Sequence, residues 1–213
     1  MQILGLSQFQ RDMRIAHRPA PLCICAPEMI GEKRMQLPTR NRFREADFAL
    51  MGKLIQLYCY ADLNARRIID ALRHAAFGPQ ARCASRLQDA QVVPKLVEIA
   101  AELWESNLKE GILKAANTVE LHRSHRHNFA HWAARRVGSE EALVLFTKNA
   151  REAERRDGDP LGSDLLKYAI VPLGSFAEEL KKLEGHAQYL AQSAAHVERL
   201  INEFSERFAK MKK

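Results

Sequence analysis

The sequence predicts a mainly all-α protein: an antiparallel bundle of about four long helices, with a short β-prone insert before the last one. Three observations carry this expectation. Apolar residues recur every three or four positions over long stretches. Glycine and proline stand between those stretches, at Gly78-Pro79 and Gly138. The interval 142–171 drops the helical period for two β-prone runs.

Residues 1–42 are expected to form a basic, Pro-containing, disordered extension ahead of a bundle domain at 43–213. Four of the eight prolines (Pro19, Pro21, Pro27 and Pro38) fall there, with no sustained apolar period between them. The patch Pro21–Pro27 is too short and too proline-broken for the apolar core of a signal peptide. Ile24 is not the small residue expected before a lipid-modified cysteine. Met35, followed by a polar lead-in, is a candidate alternative start.

From Glu45 the period becomes helical. Leu50, Leu54, Leu57, Ala61, Ala65, Ile68 and Leu72 form one stripe that Gly78-Pro79 ends. Val93, Leu96, Val97, Ala100, Leu103 and Trp104 mark a second helix, with Pro94 expected in its first turn. Asn107-x-x-Glu110 and Asn117-x-x-Glu120 both resemble capping boxes, so a third helix starts near one of them and runs to about Val137. Ala142–Thr147 and Lys167–Val171 are expected as two short strands around a loop holding Asp157-Gly158-Asp159-Pro160. In the last helix, Phe176, Leu180, Leu183, Ala187, Leu190, Ala194, Val197, Ile201, Phe204 and Phe208 keep a 3.5-residue period, the seam of a bundle or coiled coil.

The 213 residues carry a formal charge of +7. Its distribution weakens any inference from the total: residues 1–44 hold eight basic and three acidic side chains, and 45–213 hold 25 and 23. No apolar run approaches the roughly 20 residues of a membrane span, so no membrane partner is expected; with neither a signal-peptide core nor a lipoprotein cysteine in the first 42 residues, the chain is expected to be cytoplasmic. Cys23, Cys25, Cys59 and Cys83 form no CxxC pair; a buried thiol is expected at Cys59, and no disulfide framework or zinc ribbon.

Four of the eight histidines lie within ten residues, in Leu121-His122-Arg123-Ser124-His125-Arg126-His127-Asn128-Phe129-Ala130-His131-Trp132. No acidic residue occurs between Glu120 and Glu140. His127 and His131, four apart, share one helix face and could chelate a transition metal, though the Glu of HExxH and any nearby cysteine are missing. A polar helix end serving packing and solubility is the plainer reading. Arg135 and Arg136 would extend a phosphate contact or serve solubility alone.

Arg126-His127-Asn128-Phe129-Ala130-His131 fits R-x4-H, and its Arg-polar-x-x-Ala-His form is similar to the motif of HEPN (higher eukaryotes and prokaryotes nucleotide-binding) domains. The position after the arginine is commonly Asn in that family; here it is His127, with Asn128 next. The resemblance covers roughly residues 43–209 and implies a small helical bundle, with the motif toward the end of an inner helix and a last helix closing the bundle. It further implies a homodimer with facing motifs and metal-independent cleavage of an RNA substrate, without cofactor, in a defence or toxin–antitoxin setting with a possible cognate antitoxin. Arg126 and His131 would then be catalytic, and Arg123, His127 and Asn128 would bind substrate. The alternative is a non-catalytic HEPN-like bundle that binds nucleotide, RNA or a protein partner. The residues suit the chemistry: a histidine with an ordinary pKa near 6.5 can exchange the ribose 2′-hydroxyl proton near neutral pH, and an arginine can hold the phosphate. On a straight helix, five residues separate Arg126 from His131 by about 140°, so one phosphate reaches both only if the helix ends or bends between them or a second subunit completes the site.

Overall fold

The computed structural model describes residues 39–40, 43–81, 83–103, 105–137, 141–147, 149 and 167–211. The Asp157-Gly158-Asp159-Pro160 loop, Met35, Cys23, Cys25 and Trp104 lie outside these. Chain order is β1 (Thr39–Arg40), α1 (Glu45–Phe77), α2 (Asp89–Ala100), α3 (Ser106–His131), β2 (Ala133–Val137), β3 (Ala142–Thr147), β4 (Lys167–Pro172) and α4 (Leu173–Met211). Two short 3₁₀ turns, Pro79–Ala81 and Ala84–Arg86, join α1 to α2.

The chain is mostly helical, with a small antiparallel sheet before the last helix. Three helices are long, at 33, 26 and 39 residues, whereas α2 has only 12. That shortfall decides the helix directions. Lys53 of α1 pairs with Glu184 of α4, and Arg67 with Glu198, the same offset of 131 at both ends. The two helices therefore run parallel, not antiparallel as expected for four alternating helices. Between them α3 runs the other way: Phe129 stacks on Phe176 at 4.9 Å, while Glu105 lies 4.0 Å from His196. With three long helices alternating in direction, the first and the last must point the same way.

The predicted stripes form the core. Leu54, Ala61, Ala65 and Ile68 of α1 are buried, and so is every seam residue of α4 from Phe176 to Val197. Each buried Leu, Ile, Val or Phe among them contributes about 1.5–3 kcal/mol of hydrophobic stabilisation, and each alanine less. Burial of the seam falls off toward the end of α4, where Ile201 is half-buried and Phe204 is 71 % exposed. Gly111 of α3 lets α4 approach closely: a Cβ there would lie 1.9 Å from the Tyr189 hydroxyl oxygen and 2.2 Å from its Cζ.

Several expectations are corrected. α2 begins at Asp89, so Pro94 sits at its sixth position rather than in the first turn, and removes the bond it would have made to the Ala90 carbonyl. α3 starts at the first of the two Asn sites, but Asn107 is its second residue and Glu105 stands at the cap without a side-chain hydrogen bond. It stops at His131, not Val137: Trp132 turns extended and buries its ring, and 133–137 become β2. Cys59 is exposed, because it falls one position past the buried Tyr58 of the α1 stripe.

The two predicted strands are present, with β4 reaching Pro172, but the sheet is larger, in the order β1-β2-β3-β4 and antiparallel throughout. Leu143, Leu145, Ala169 and Val171 pack into the main core, and Val137, Ala142 and Val144 form a second small cluster. β2 is tied to the start of α1 through Arg136. Arg136 is 5 % exposed, and its guanidinium donates to Asp47 at 2.5 Å and to Glu141. Arg136 is thus a buried structural cation and neither a phosphate contact nor a solubility residue. Asp47 also accepts the Arg44 backbone N–H at 2.8 Å, closing the first turn of α1. Burial pushes the Asp47 carboxyl up, but the Arg44 N–H and Arg136 outweigh it and hold the group below the usual range.

Candidate functional site

The histidine-rich stretch is the last two and a half turns of α3, packed between α1, α2 and the start of α4. At 100° per residue its side chains divide by face. His122, Arg126 and Phe129 point inward, and His127 and His131 lie on the opposite side.

Arg126 is 29 % exposed, and its guanidinium lies 5.7 Å from the centroid of the buried Tyr58 ring. One nitrogen stands 3.7 Å from Asp89 Oδ2, too far for a hydrogen bond. Its Nε is buried without a partner, and among the described residues the Arg126 side chain makes no hydrogen bond. Its neighbours are satisfied by contrast. Arg123 grips Glu120 through Nε at 3.0 Å and a terminal nitrogen at 2.7 Å, and that bond holds its charge more firmly than usual. Arg66 of α1 donates to Asp62, to the Ala84 carbonyl and to the Leu87 carbonyl. Burial, with Asp62 and Asp89, pushes the Tyr58 hydroxyl well above its ordinary value, so it stays protonated.

His127 and His131 stack with ring centroids 4.2 Å apart and planes tilted by 44°. His131 is exposed at the helix end. Asn128 and Trp132 lie beside it, and Asn128 Oδ1 and Trp132 Nε1 are buried without hydrogen bonds among the described residues. The Arg126 Nε is unmatched too, but, two residues before Asn128, it lies on the opposite face of the helix.

The other two histidines belong to the α3–α4 interface. His122 is fully buried, and its Nδ1 lies 2.8 Å from the Thr118 carbonyl. A carbonyl only accepts, so Nδ1 carries the proton and Nε2 presents a bare lone pair, 3.8 Å from Glu179. Burial pushes the His122 imidazole down, against the opposing pull of the Thr118 bond and Glu179. Burial and the neighbouring His122 push His125 down to about 4. Neither carries charge at neutral pH.

The helix therefore brings Arg123, Arg126, Asp89 and Tyr58 together on one side and His127 with His131 on another. It does not bring Arg126 and His131 together, because α3 stays helical through His131 and neither ends nor bends between them. Arg135 of β2 lies 5.4 Å above the Phe146 ring. Among the described residues, no group of three or more His, Cys, Asp or Glu side chains is placed to hold a metal ion. The acid-free stretch of sequence is not acid-free in space, since Asp89 and Glu179 reach it from α2 and α4. Tyr58 was within reach of sequence reasoning, falling four residues after Leu54 on the apolar stripe. Asp89 and Arg66 had no local signal. A cavity of about 490 Å³ lies between α1 and α4, and of the residues near Arg126 only Arg66 lines it. No described helix is long and apolar enough to cross a membrane. No protein-family model, curated protein or solved structure matches the chain.

Proposed function

We propose that this chain is a metal-independent RNA endonuclease of the HEPN type, acting as a homodimer in a defence or toxin–antitoxin setting. One observation carries the reading. Arg126 is a solvent-accessible cation on a packed helix, with unspent hydrogen-bonding capacity and, among the described residues, only one long ion pair, five residues from an exposed histidine. A solvent-accessible guanidinium with unspent donors suits an anion that arrives from outside.

In the proposed reaction the ribose 2′-oxygen attacks the adjacent phosphorus and the bond to the 5′-oxygen breaks. A base takes the 2′-hydroxyl proton, and an acid returns one to the leaving oxygen. The products are a 2′,3′-cyclic phosphate and a 5′-hydroxyl, and no water is consumed. Arg126 holds the phosphate and stabilises its developing charge. His131 exchanges the proton, and His127 or Asn128 orients the ribose, with Arg123 on the flanking backbone. The 140° between Arg126 and His131 requires that two chains complete each site.

That same separation favours a second reading, a non-catalytic bundle that binds RNA or nucleotide through Arg126 alone. Cleavage of a generic RNA in EDTA by wild type, Arg126→Ala and His131→Ala separates the two. The catalytic reading predicts cyclic-phosphate ends that either substitution abolishes. Activity untouched by both substitutions would sink it, and binding without cleavage would establish the second reading.

A further inference from the structure

Asp89 stands between two guanidinium groups. Its Oδ1 lies 3.6 Å from Arg66 and its Oδ2 lies 3.7 Å from Arg126. Both distances exceed hydrogen-bond length, so the carboxylate meets the two guanidinium groups through charge and not through hydrogen bonds. The two arginines differ in how they are held. Arg66 is fixed by Asp62 at 2.7 Å and by the carbonyls of Ala84 and Leu87 at 2.5 and 2.9 Å. Arg126 has no such anchor.

Asp89 itself is the most exposed of the three, at 56 %. It is the first residue of α2, yet α2 does not rely on it for its cap, because the Gln88 backbone N–H is taken by the Gln91 side chain at 2.9 Å. The carboxylate can leave without unravelling the helix.

The local charges also balance one for one: Arg66 with Asp62, Arg123 with Glu120, and Arg126 with Asp89. A phosphodiester is a monoanion whose two non-bridging oxygens repeat the arrangement of a carboxylate's pair. Put in place of Asp89, it would restore the same balance and could shorten both contacts to true hydrogen bonds.

We infer that Arg66 and Arg126 form a two-arginine seat for one RNA phosphate, and that Asp89 plugs this seat in the free protein. The inference rests on the ribonuclease reading and adds to it a second phosphate-binding residue and a built-in competitor. Substrate must displace Asp89, so the plug weakens RNA binding and favours strands that offer a well-ordered phosphate at that point.

The test is fluorescence anisotropy with a 2′-O-methyl oligoribonucleotide, which binds but cannot cyclise, on wild type, Asp89→Asn, Arg126→Ala and the double variant. Asp89→Asn is expected to bind about three- to fivefold more tightly, the value of an exposed ion pair no longer lost on binding. Its affinity should also fall more steeply with salt, by about 0.7 in the slope of log K against log salt for a single strand. In the Arg126→Ala background the gain should drop below half, because the two substitutions are coupled. Unchanged or weaker binding by Asp89→Asn, or full additivity with Arg126→Ala, overturns the plug. If wild type nevertheless cleaves RNA, the ribonuclease reading survives that result. If wild type and Asp89→Asn neither bind the oligonucleotide nor cleave RNA, both ideas fall together.

Discussion

The buried histidines of the α3–α4 interface make acid stability a sharp test of the site's electrostatics. An unfolded histidine binds its proton near pH 6.5, whereas folded His125 does so only at about 4. Between those values the unfolded chain binds more protons than the folded one. Stability is therefore fully present above about pH 6.5 and is lost as pH falls toward 4. At about 1.4 kcal/mol per pH unit, that window corresponds to about 3 kcal/mol, or about 2–3 once residual solvent access is allowed for. His122 and His186 are pushed down too and add in the same direction. The depressed carboxylates Asp47, Glu141 and Glu178 act lower, because their contribution starts to fade only below their ordinary values of 3.8 and 4.5. Urea unfolding of wild type and His125→Gln at pH 7.5, 6.5, 5.5 and 4.5 measures the window. The variant should lose a substantial part of the wild-type slope between pH 6.5 and 4.5. Identical slopes in the two proteins would refute the assignment of His125 as a neutral, desolvated imidazole.

Two further predictions concern packing. Gly111→Ala should destabilise by about 1–3 kcal/mol despite the helix propensity gained, because the added methyl overlaps the Tyr189 ring; Tyr189→Ala should absorb most of that loss in a double-mutant cycle, and additive effects would contradict the contact. Asp47→Asn should lower the thermal midpoint by leaving the Arg136 guanidinium short of one anionic partner and by weakening the first turn of α1; an unchanged midpoint would show that Glu141 alone suffices for Arg136.

What could be read from the chain divides by the range of the interaction. α1 and α4 announce themselves because one face of each is apolar along its length, a property of neighbours three and four apart. β3 and β4 were visible as short β-prone runs. β2 was not, since Ala-Ala-Arg-Arg-Val has no alternating apolar pattern and becomes a strand only by pairing with β3. Arg136 looked like surface because its partner Asp47 lies 89 residues away. Helix direction is illegible for a similar reason: a 12-residue α2 spans too little of the bundle to count as a full crossing. At the candidate site, the motif Arg126 to His131 was legible as a pattern of residue types. The sorting of its histidines was partly legible, since spacings of four pair His122 with Arg126 and His127 with His131. The neutrality of His122 and His125 was not, because it depends on the depth to which α4 buries them. Of the four histidines that suggested a basic surface, these two add no charge at pH 7, and the case for an anionic ligand narrows to Arg126 with its Arg66 and Arg123 neighbours.

The separation of Arg126 from His131 along an unbroken helix yields a prediction that does not depend on which RNA is cut. In a symmetric dimer with facing motifs, each phosphate would meet Arg126 of one chain and His131 of the other. Arg126→Ala and His131→Ala homodimers would then both be inactive, since each site lacks one member. Mixing them changes the count. In the mixed dimer one site lacks both residues, but the other joins the intact Arg126 of one chain to the intact His131 of its partner. Random exchange makes about half the dimers mixed, each with one working site of two, so about a quarter of wild-type activity should return. The measurement is cleavage rate after co-refolding the two variants in equal amounts, against each variant refolded alone. A site contained within one chain can never be rebuilt this way. Recovery near a quarter would assign the catalytic pair to two subunits, and absence of recovery from a demonstrably mixed dimer would confine it to one, where the straight course of α3 leaves Arg126 and His131 unable to share a phosphate.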